Sequence, residues 1–408
     1  EDDVEAKNKI LVANIGSTSF KFRLFEMPSE RLLARGAVER IGASQGAWKA
    51  QVGDSPPEEG QGAFPDYNAA IALVEEKLAG RALGGLGELA AVGFKPVMAK
   101  DISGTQVLDD HVLAAMEALY TLLPAHNPPY VKAVRAFRAR HPELPCIGTF
   151  ETAFYDNLPR RKRRFPIPLA WETKYGIRRE GFHGASHRYV TERAAELRGA
   201  RNLRMISCHL GGSSSICAVR DGVAIDSSWG MTAQSGLPHN NRVGDFDVFA
   251  ALYVQKIAGL TVEQMEDALA KDAGLKGMSG LASGDIRDVR AAAAAGNEDA
   301  RTALAAFVDS IRKYVGQFLV EMNGADVLIF AGGIGENNPD LRAEVCAGMD
   351  FCGLRLDAAA NEQAVGREAV ISARDSRIEV RVIPTNEEII IARNAWEKLG
   401  HARPAGKF

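Results

Sequence analysis

Alternation of apolar and polar residues predicts a strand–turn–strand unit close to the start of the chain. Residues 10–14 form a short apolar run with β-branched side chains, and residues 20–25 alternate apolar and polar with the period of two that is typical of a strand. Glycine, serine and threonine occupy residues 16–19 between them. The same unit recurs at residues 204–222, about half a chain length later, which predicts two related halves with a cleft between them.

Apolar residues recur elsewhere with the helical period. One stripe predicts a helix over residues 113–123 and a longer stripe predicts a helix over residues 304–322. Thr261 to Gln264 match a capping box at a helix start. The apolar run at 327–330 predicts a buried strand, and the alternation of strands with helices favours the α/β class. The Gly-, Pro- and Gln-rich segment 42–65 is predicted to be a surface excursion.

Composition narrows the class of protein. The chain has 408 residues, 46% of them hydrophobic, which suits two or three domains with sizeable cores. Forty-nine basic and 52 acidic residues give a net charge of −3, so neither nucleic acid nor an anionic membrane is an expected partner. Five cysteines without a CxxC pair favour a reducing, cytoplasmic location. The acidic start, Glu1 to Glu5, lacks the basic and apolar parts of a signal peptide.

The glycine- and serine-rich turns have the chemistry of a phosphate site. Such a turn presents backbone N–H groups and hydroxyls to a small volume, and Lys21 adds a positive charge beside the first turn. One such turn is equally typical of a plain hairpin. Two of them, together with a third glycine cluster at 332–335, favour a nucleotide cleft, although neither a Walker loop nor a Rossmann GxGxxG motif occurs.

Six segments then resemble the acetate kinase family, which includes acetate, propionate and butyrate kinases. They follow the family's order along nearly the whole chain: NIGSTSFK (14–21), HNPP (126–129), GFHGASH (181–187), DSSWG (226–230), GGIGEN (332–337) and PTNEE (384–388). The resemblance implies a duplicated actin-like ATPase and sugar kinase fold of two lobes with a central cleft. It implies an N-terminal lobe over 1–154, completed by 387–408, and a nucleotide-binding lobe over 155–386.

The resemblance also implies an activity and its partners. These are reversible transfer of the ATP γ-phosphoryl group to a small carboxylic acid, giving an acyl phosphate and ADP, with Mg²⁺ or Mn²⁺, in a cytoplasmic homodimer. The implied catalytic residues are His183, Arg242, Glu151 and Lys95, and the implied metal-associated residues are Asn14 and Glu387. The implied nucleotide- or phosphate-binding residues are Asn14, Ser17, Ser19, Lys21, His209, Gly211, Gly212, Ser213, Asp285, Ile286, Arg287, Gly333, Gly335 and Asn337. The implied substrate-binding residues are Lys95, Val97, Ala125, Phe182 and Ala233.

Several positions depart from the family pattern on the side of the acid. Lys95 replaces an arginine and lacks its planar fork, and Glu151 replaces a catalytic aspartate. Gly212 stands where the family has an asparagine, while Ala125 and Ala233 replace a leucine and a proline. Two interpretations follow: the acid is larger or more polar than acetate, or the protein binds nucleotide with little or no kinase turnover. Hydrolysis with water as the acceptor is a third and weaker one.

Other features have simpler interpretations. The basic run 160–164 has no interleaved aromatic residues, so a solvated loop is favoured over a nucleic-acid site. His183 and His187 have the spacing of two zinc ligands on a helix, but no HExxH glutamate lies between them. Glu388 is predicted to be a solvated neighbour of Glu387, and a helix-surface pair of Asp285 with Arg287 is an alternative to an adenine contact.

Overall fold

The computed structural model describes residues 7–403, which form two compact units. Unit 1 contains residues 7–156 and 386–403, and unit 2 contains residues 157–385. The acidic start and the other terminal residues of the predicted lobes, 1–6 and 404–408, lie outside the described residues. No helix within 7–403 combines the length and the apolar character that a membrane crossing requires.

Strands and helices alternate along the chain, as the sequence predicts. The strands are β1 Lys9–Ile15, β2 Ser19–Glu26, β3 Arg31–Glu39, β4 Gly46–Val52, β5 Glu58–Gly62, β6 Leu89–Phe94, β7 Thr105–Val107, β8 Cys146–Thr149, β9 Arg204–Leu210, β10 Ser214–Arg220, β11 Val223–Ser227, β12 Val327–Ala331, β13 Ala369–Val370 and β14 Glu379–Val382. The helices are α1 Tyr67–Leu78, α2 Asp110–Glu117, α3 Asn127–Arg140, α4 Arg160–Arg163, α5 Leu169–Tyr175, α6 Gly184–Arg198, α7 Val248–Ala258, α8 Val262–Lys271, α9 Gly274–Ser279, α10 Ile286–Ala294, α11 Glu298–Glu321, α12 Gly332–Asn337, α13 Pro339–Cys346, α14 Ala358–Gln363 and α15 Glu387–Lys398.

Each unit has its own sheet, and the two sheets share one strand topology. Unit 1 has the strand order β5-β4-β3-β2-β1-β6-β8-β7, and unit 2 has β11-β10-β9-β12-β14-β13. The six strands β3-β2-β1-β6-β8-β7 of unit 1 correspond one by one to the six strands of unit 2, both in their order along the chain and in their direction. In each, the three central strands run parallel to one another and their outer neighbours are antiparallel. The α/β class and the duplicated fold are therefore confirmed.

Each sheet packs a helix against its central strands. In unit 1, α15 lies on β1 and β6, and in unit 2, α6 lies on β9 and β12. The central strands are nearly continuous apolar runs, as strands covered on both faces require. This burial fixes the carboxyl ends of the parallel strands at one edge of each sheet, where the chain leaves the core and side chains reach solvent.

The segment 42–65 lies mostly at the surface, as predicted, but it is not a loop. It forms β4 and β5, which extend the sheet of unit 1 beyond β3. Glycines such as Gly60 favour a loop in the sequence, but here the glycine makes room for the indole of Trp48. A Cβ at Gly60 would lie only 2.8 Å from Trp48 Nε1. The Lys77 ammonium lies 4.4 Å from the centre of the same indole ring. Close packing, rather than a turn, explains this glycine.

The helix predictions are confirmed in the second half of the chain and partly wrong in the first. α11 covers the longer stripe, and Thr261 and Gln264 form the predicted capping box at the start of α8. The stripe over 113–123 belongs to a helix that ends at Glu117. Leu123 is buried after turns rather than on a helix, because Pro124 disfavours the helical conformation of the residue before it.

The basic run at 160–164 is not a solvated loop either. Residues 160–163 form the short helix α4, and the Lys162 ammonium lies 2.8 Å from an Asp226 oxygen and 2.6 Å from a Glu321 oxygen. Arg163 forms an ion pair with Glu180 at 2.6 Å. Buried carboxylates such as Asp226 need cationic partners, and this run supplies them.

Candidate active site

The parallel strands of unit 1 end in a cluster of charged side chains. Asn14 lies near the end of β1, Lys95 directly follows β6, Glu151 follows β8, and Glu387 begins α15. Because β1, β6 and β8 run parallel side by side, their carboxyl ends meet at one edge of the sheet. Residues that are far apart in the sequence are thereby brought to one place.

Lys95 holds this cluster together. Its Nζ lies 3.2 Å from Glu151 Oε1 and forms a very short hydrogen bond with Glu387, and each of the three side chains is only about one-seventh exposed. Burial alone would lower the pKa of Lys95, but the charges of Glu151 and Glu387 outweigh it and raise that pKa well above its usual value. Lys95 is therefore a fixed cation between two carboxylates.

Tyr130 is a member of this cluster that the sequence did not reveal. Its hydroxyl lies 3.4 Å from Asn14 Oδ1 and accepts a hydrogen bond of 3.4 Å from the Ile15 backbone N–H. Burial and the neighbouring carboxylates Glu151 and Glu387 outweigh Lys95 and raise the pKa of Tyr130, so its proton stays on the hydroxyl. Tyr130 thus buttresses the end of β1 from α3.

The first glycine- and serine-rich turn is a tight hairpin beside this cluster. The Gly16 N–H donates to the Ser19 carbonyl at 2.8 Å, and the Tyr67 hydroxyl donates to the Gly16 carbonyl at 2.7 Å. Ser17 is exposed at the tip, Ser19 is half-buried, and the exposed Lys21 lies opposite Asn14 in the β1–β2 register. The turn keeps its hydroxyls and one lysine at the same edge of the sheet as Asn14.

In unit 2 the corresponding edge carries imidazoles. His209 lies near the end of β9, and His183 caps α6 in the left-handed conformation with φ of 57°. Their ring centres are 4.1 Å apart, and the His183 ring meets the buried Trp229 edge-on at 5.2 Å. His183 Nδ1 lies 2.8 Å from Ser215 Oγ. The structure therefore brings together His183 and His209, two residues that the sequence analysis assigned to the phosphate.

Hydroxyl groups that the sequence analysis did not assign support these rings. The Ser186 hydroxyl lies 2.7 Å from both His209 Nδ1 and Thr385 Oγ1, and the Thr385 N–H donates to Glu336 at 3.1 Å. Ser186 belongs to GFHGASH, Glu336 to GGIGEN and Thr385 to PTNEE. Their membership of these motifs was the one signal that pointed to them.

Arg242 lies on a loop that is tied to the second glycine- and serine-rich turn. Its guanidinium donates to the Ala233 carbonyl at 2.6 Å, and the Asn240 N–H donates to the Gly212 carbonyl at 3.1 Å. The His239 ring accepts a hydrogen bond of 3.0 Å from the Ser214 N–H. The loop and the turn therefore form one rigid piece, on which Gly211, Gly212 and Ser213 have partly or fully exposed positions.

The GGIGEN segment is a helical turn rather than a loop. It forms α12 directly after β12, and Gly332 has φ of 75° with its Cα so close to β9 that a Cβ would lie 2.6 Å from the Leu210 carbonyl oxygen. Only glycine fits there. Asn337 turns back onto the helix and donates to the Gly333 carbonyl at 2.9 Å, while Gly335 packs against β12.

The remaining predicted residues have mixed surroundings. Asp285 and Arg287 form the helix-surface pair, with a 2.6 Å contact that lowers the pKa of Asp285 to about 2, and Ile286 packs in the core of unit 2. Glu388 is not merely solvated, since it lies 3.7 Å from Arg23. Among the predicted acid-pocket residues, Val97 and Phe182 are buried, Ala233 is partly buried and Ala125 is exposed.

Comparison with known proteins assigns the chain to a family. The model of the acetokinase family matches residues 9–393. The chain belongs to this family. An acetate kinase of Geobacillus sp. (strain WCH70) is 40% identical over 391 residues, which cover 95% of this chain and 98% of the relative. The resemblance stated from the motifs is confirmed, and this acetokinase-family protein is a carboxylate kinase, a phosphotransferase with a carboxyl acceptor.

Solved structures of the acetokinase family agree with this fold. The acetate kinase of Porphyromonas gingivalis superposes with a TM-score of 0.88 at 35% identity, covering 96% of this chain and all of the other. A propionate kinase from Francisella tularensis superposes with a TM-score of 0.87 at 30% identity, covering 95% and 98%. Acetate kinases use ATP and a divalent metal ion as a general property of the family.

Proposed function

We propose that this protein transfers the γ-phosphoryl group of ATP to a small carboxylic acid other than acetate, giving an acyl phosphate and ADP in a reversible reaction. The observation that carries the proposal is the cluster at the strand ends of unit 1, where Lys95 is held between Glu151 and Glu387. A carboxylate oxygen attacks the γ-phosphorus, and the bond to the β-phosphate oxygen breaks. Both reactants are anions, so fixed cations are what this reaction needs.

Residues of each unit have separate roles in this proposal. Lys95 offsets the charge of the acid, and Glu151 orients Lys95. His183 and Arg242 donate to the phosphoryl oxygens during transfer, since an arginine fork and an imidazole N–H suit oxyanions. His209, the turn 211–213 and the glycines Gly333 and Gly335 hold the ATP phosphates and nucleotide, and Asn337, Asp285 and Arg287 lie further along the nucleotide. Ser17, Ser19 and Lys21 contact the transferring phosphate.

The donor set of unit 1 fits a hard divalent cation. The Glu387 carboxylate forms an ion pair with the Lys95 ammonium, so it lies where a cation binds. Asn14 contributes an amide oxygen at the same edge of the sheet. Within residues 7–403, no group of three or more His, Cys, Asp or Glu side chains forms a complete metal cage. This agrees with Mg²⁺ or Mn²⁺ held by Asn14 and Glu387 together with water and phosphate oxygens. Bound metal would offset the charge of the phosphates.

We propose an acid that is larger or more polar than acetate. The proposal is supported by Ala125 and Ala233, whose side chains are smaller than the leucine and the proline of the family pattern, so each leaves more room for an acid. The solved relatives are named for acetate and for propionate, so acids of different length are used within the family. Lys95 binds a carboxylate as a point charge and tolerates more than one orientation of it.

The test is hydroxamate trapping of the acyl phosphate across a panel of acids with Mg-ATP. The panel runs from acetate through longer, branched and hydroxylated acids, and we expect at least one to exceed acetate in kcat/KM. A panel in which acetate is the best substrate would refute the acid assignment. Absence of product from every acid would refute the kinase itself.

The second candidate is a nucleotide-binding protein with little or no turnover. The observation that favours it is the charge balance of this cluster, because two carboxylates, Glu151 and Glu387, face the one ammonium of Lys95 where an anionic acid would need a cation. Calorimetry distinguishes the two functions, because this candidate predicts ATP binding with normal stoichiometry and no acyl phosphate from any acid. Hydrolysis of ATP alone would indicate water as the acceptor.

We also propose a cytoplasmic homodimer that forms through α7. This helix has no buried residue, and Phe249, Tyr253 and Ile257 are 76%, 64% and 66% exposed in the single chain. Exposed aromatic and aliphatic side chains on one helix are typical of a protein interface rather than of a solvated surface. None of the five cysteines forms a disulfide, which agrees with a reducing compartment.

A further inference from the structure

A line of hydrogen bonds leads inward from His183 into the core of unit 2. His183 Nδ1 lies 2.8 Å from Ser215 Oγ, and the same oxygen lies 2.8 Å from His187 Nε2. On the other side of its ring, His187 Nδ1 lies 2.8 Å from Ser207 Oγ. His187, Ser207 and Ser215 are fully buried. We call this line the His183 relay.

The secondary structure explains why these four side chains meet. His187 follows His183 by four residues, one turn along α6, so both rings lie on the face of α6 that packs on the sheet. Ser207 lies on β9 and Ser215 on β10, which are adjacent antiparallel strands. Each serine buries a hydroxyl group, and a buried hydroxyl group needs hydrogen-bond partners.

The direction of the relay follows from counting its protons. Burial, with a further contribution from His209, lowers the pKa of His187 well below its usual value, so this ring is neutral and has one N–H. Among the described residues, His187 Nδ1 is the one hydrogen-bond partner of the Ser207 hydroxyl. If His187 donated to Ser207, the buried Ser207 O–H would have no acceptor, which is unfavourable. Ser207 therefore donates to Nδ1.

The remaining protons then have only one arrangement. His187 carries its proton on Nε2 and donates it to Ser215 Oγ. The single O–H of Ser215 is left to donate to His183 Nδ1. A neutral His183 that accepts at Nδ1 carries its own proton on Nε2. The tautomer of His183 is thus set by Ser207 on β9, which lies three hydrogen bonds away from its ring.

We propose that Ser215, His187 and Ser207 are positioning residues that hold His183 as an uncharged donor with its proton on Nε2, ready to meet a phosphoryl oxygen. The inference rests on the proposed function, in which His183 acts on the transferring group. The reverse relay would place a lone pair on Nε2, and a lone pair repels the phosphoryl oxyanions that an N–H binds. An imidazole in the wrong tautomer is a poor catalyst even where its position is unchanged.

Two measurements on the 408-residue protein test the proposal. The first is ¹⁵N spectroscopy of histidine-labelled protein, which distinguishes a protonated ring nitrogen from a bare one, with His183 assigned by the loss of its signals in His183→Gln. The second is kcat and KM for Ser215→Ala, Ser207→Ala and the conservative Ser215→Thr. Thr191→Val is the matched control, because Thr191 is buried and donates to the His187 backbone carbonyl rather than to its ring.

We expect wild-type His183 to show a protonated Nε2 and a bare Nδ1. Ser215→Ala should lose this fixed tautomer and lower kcat by about 10- to 100-fold, with the KM for ATP changed by about twofold or less, since positioning rather than binding is lost. Ser207→Ala should fall between Ser215→Ala and wild type, because it frees His187 to adopt either tautomer. Ser215→Thr keeps the hydroxyl and should retain about half of the wild-type kcat or more.

Three outcomes would overturn the proposal: a protonated Nδ1 in wild-type His183, an unchanged kcat in Ser215→Ala, or an equal loss in Thr191→Val. A loss of kcat in Ser215→Ala that Ser215→Thr does not recover would also count against it. If the wild type makes no acyl phosphate at all, the proposed function fails and the nitrogen spectra alone decide whether the relay sets the tautomer. Circular dichroism melts of every variant confirm that folded protein is being compared.

Discussion

Acidification should destabilise this protein through His239, a buried ring that is neutral in the folded state. The Ser214 N–H donates to its Nδ1 at 3.0 Å, and its Nε2 lies 3.2 Å from the Ser235 carbonyl oxygen, to which it donates. The ring stacks on Trp229, with centres 5.3 Å apart. Burial, and after it the charge of Arg242, lowers the pKa of His239 to about 3. Both ring nitrogens are therefore used in the uncharged form.

The size and sign of the effect follow from proton linkage. The unfolded chain binds a proton at this histidine near pH 6.5, whereas the folded chain does so only near pH 3. The stabilisation is fully present above pH 6.5 and is lost as the pH falls towards 3. At about 1.4 kcal/mol for each pH unit, the free energy of unfolding should drop by about 2 to 3 kcal/mol between pH 6.5 and pH 4.5 on account of His239.

Urea unfolding of wild type and His239→Asn between pH 4.5 and 7.5 measures this effect. The asparagine oxygen takes the place of Nδ1 as acceptor for Ser214, but it does not titrate. We expect the variant to be less stable at pH 7.5, because it loses the stacking on Trp229, and to lose stability less steeply on acidification. His187, whose pKa burial also lowers, is present in both proteins and cancels. Equal slopes for the two proteins would refute the assignment.

Three further predictions concern activity and assembly. Arg242→Ala should lower phosphoryl transfer more than about tenfold in a coupled ADP assay, because one preorganised charged donor is worth about 3 kcal/mol; unchanged turnover would remove Arg242 from the site. Glu151 Oε1 lies 3.2 Å from Lys95 Nζ, and the shorter side chain of Glu151→Asp moves the carboxylate away, so kcat should fall. Adding Lys95→Arg should recover part of the loss, and a double variant no better than Glu151→Asp would contradict this. Phe249→Glu with Ile257→Glu should give a monomer in sedimentation velocity, whereas a monomeric wild type would exclude the α7 interface.

Features that lie within one short segment could be predicted from the sequence. The strand–turn–strand units, the long stripe of α11 and the capping box of α8 each depend on neighbouring residues, and all three are present. Glycine content was less reliable, because a glycine serves close packing as well as turns. Gly60 makes room for Trp48 inside a sheet, and the sequence alone does not distinguish that role from a loop.

Sequence patterns did not predict the contacts between segments that lie far apart along the chain. The sequence pattern predicts that residues 10–14 form a strand. It does not predict that β6 lies beside this strand, and so it does not bring Lys95 to the same sheet edge as Asn14. Tyr130 is an ordinary apolar-face residue of α3 in the sequence, and only the fold places its hydroxyl on Asn14. The basic run was misjudged for the same reason, since its partners Asp226 and Glu321 lie far along the chain.

The duplicated sheet explains how the two units support different chemistry at matching positions. Asn14 on β1 lies opposite Lys21, and His209 on β9 lies opposite Ser215, at the same place in the two sheets. The buried strands fix where these side chains lie, whereas packing in the core does not fix which residue types stand at these positions. One edge therefore carries an amide and an ammonium, and the other an imidazole and a hydroxyl. By the same reasoning, the side chains at positions 95 and 151 can differ while the sheet stays the same, and under the proposed function we expect acid selectivity to change through these positions first.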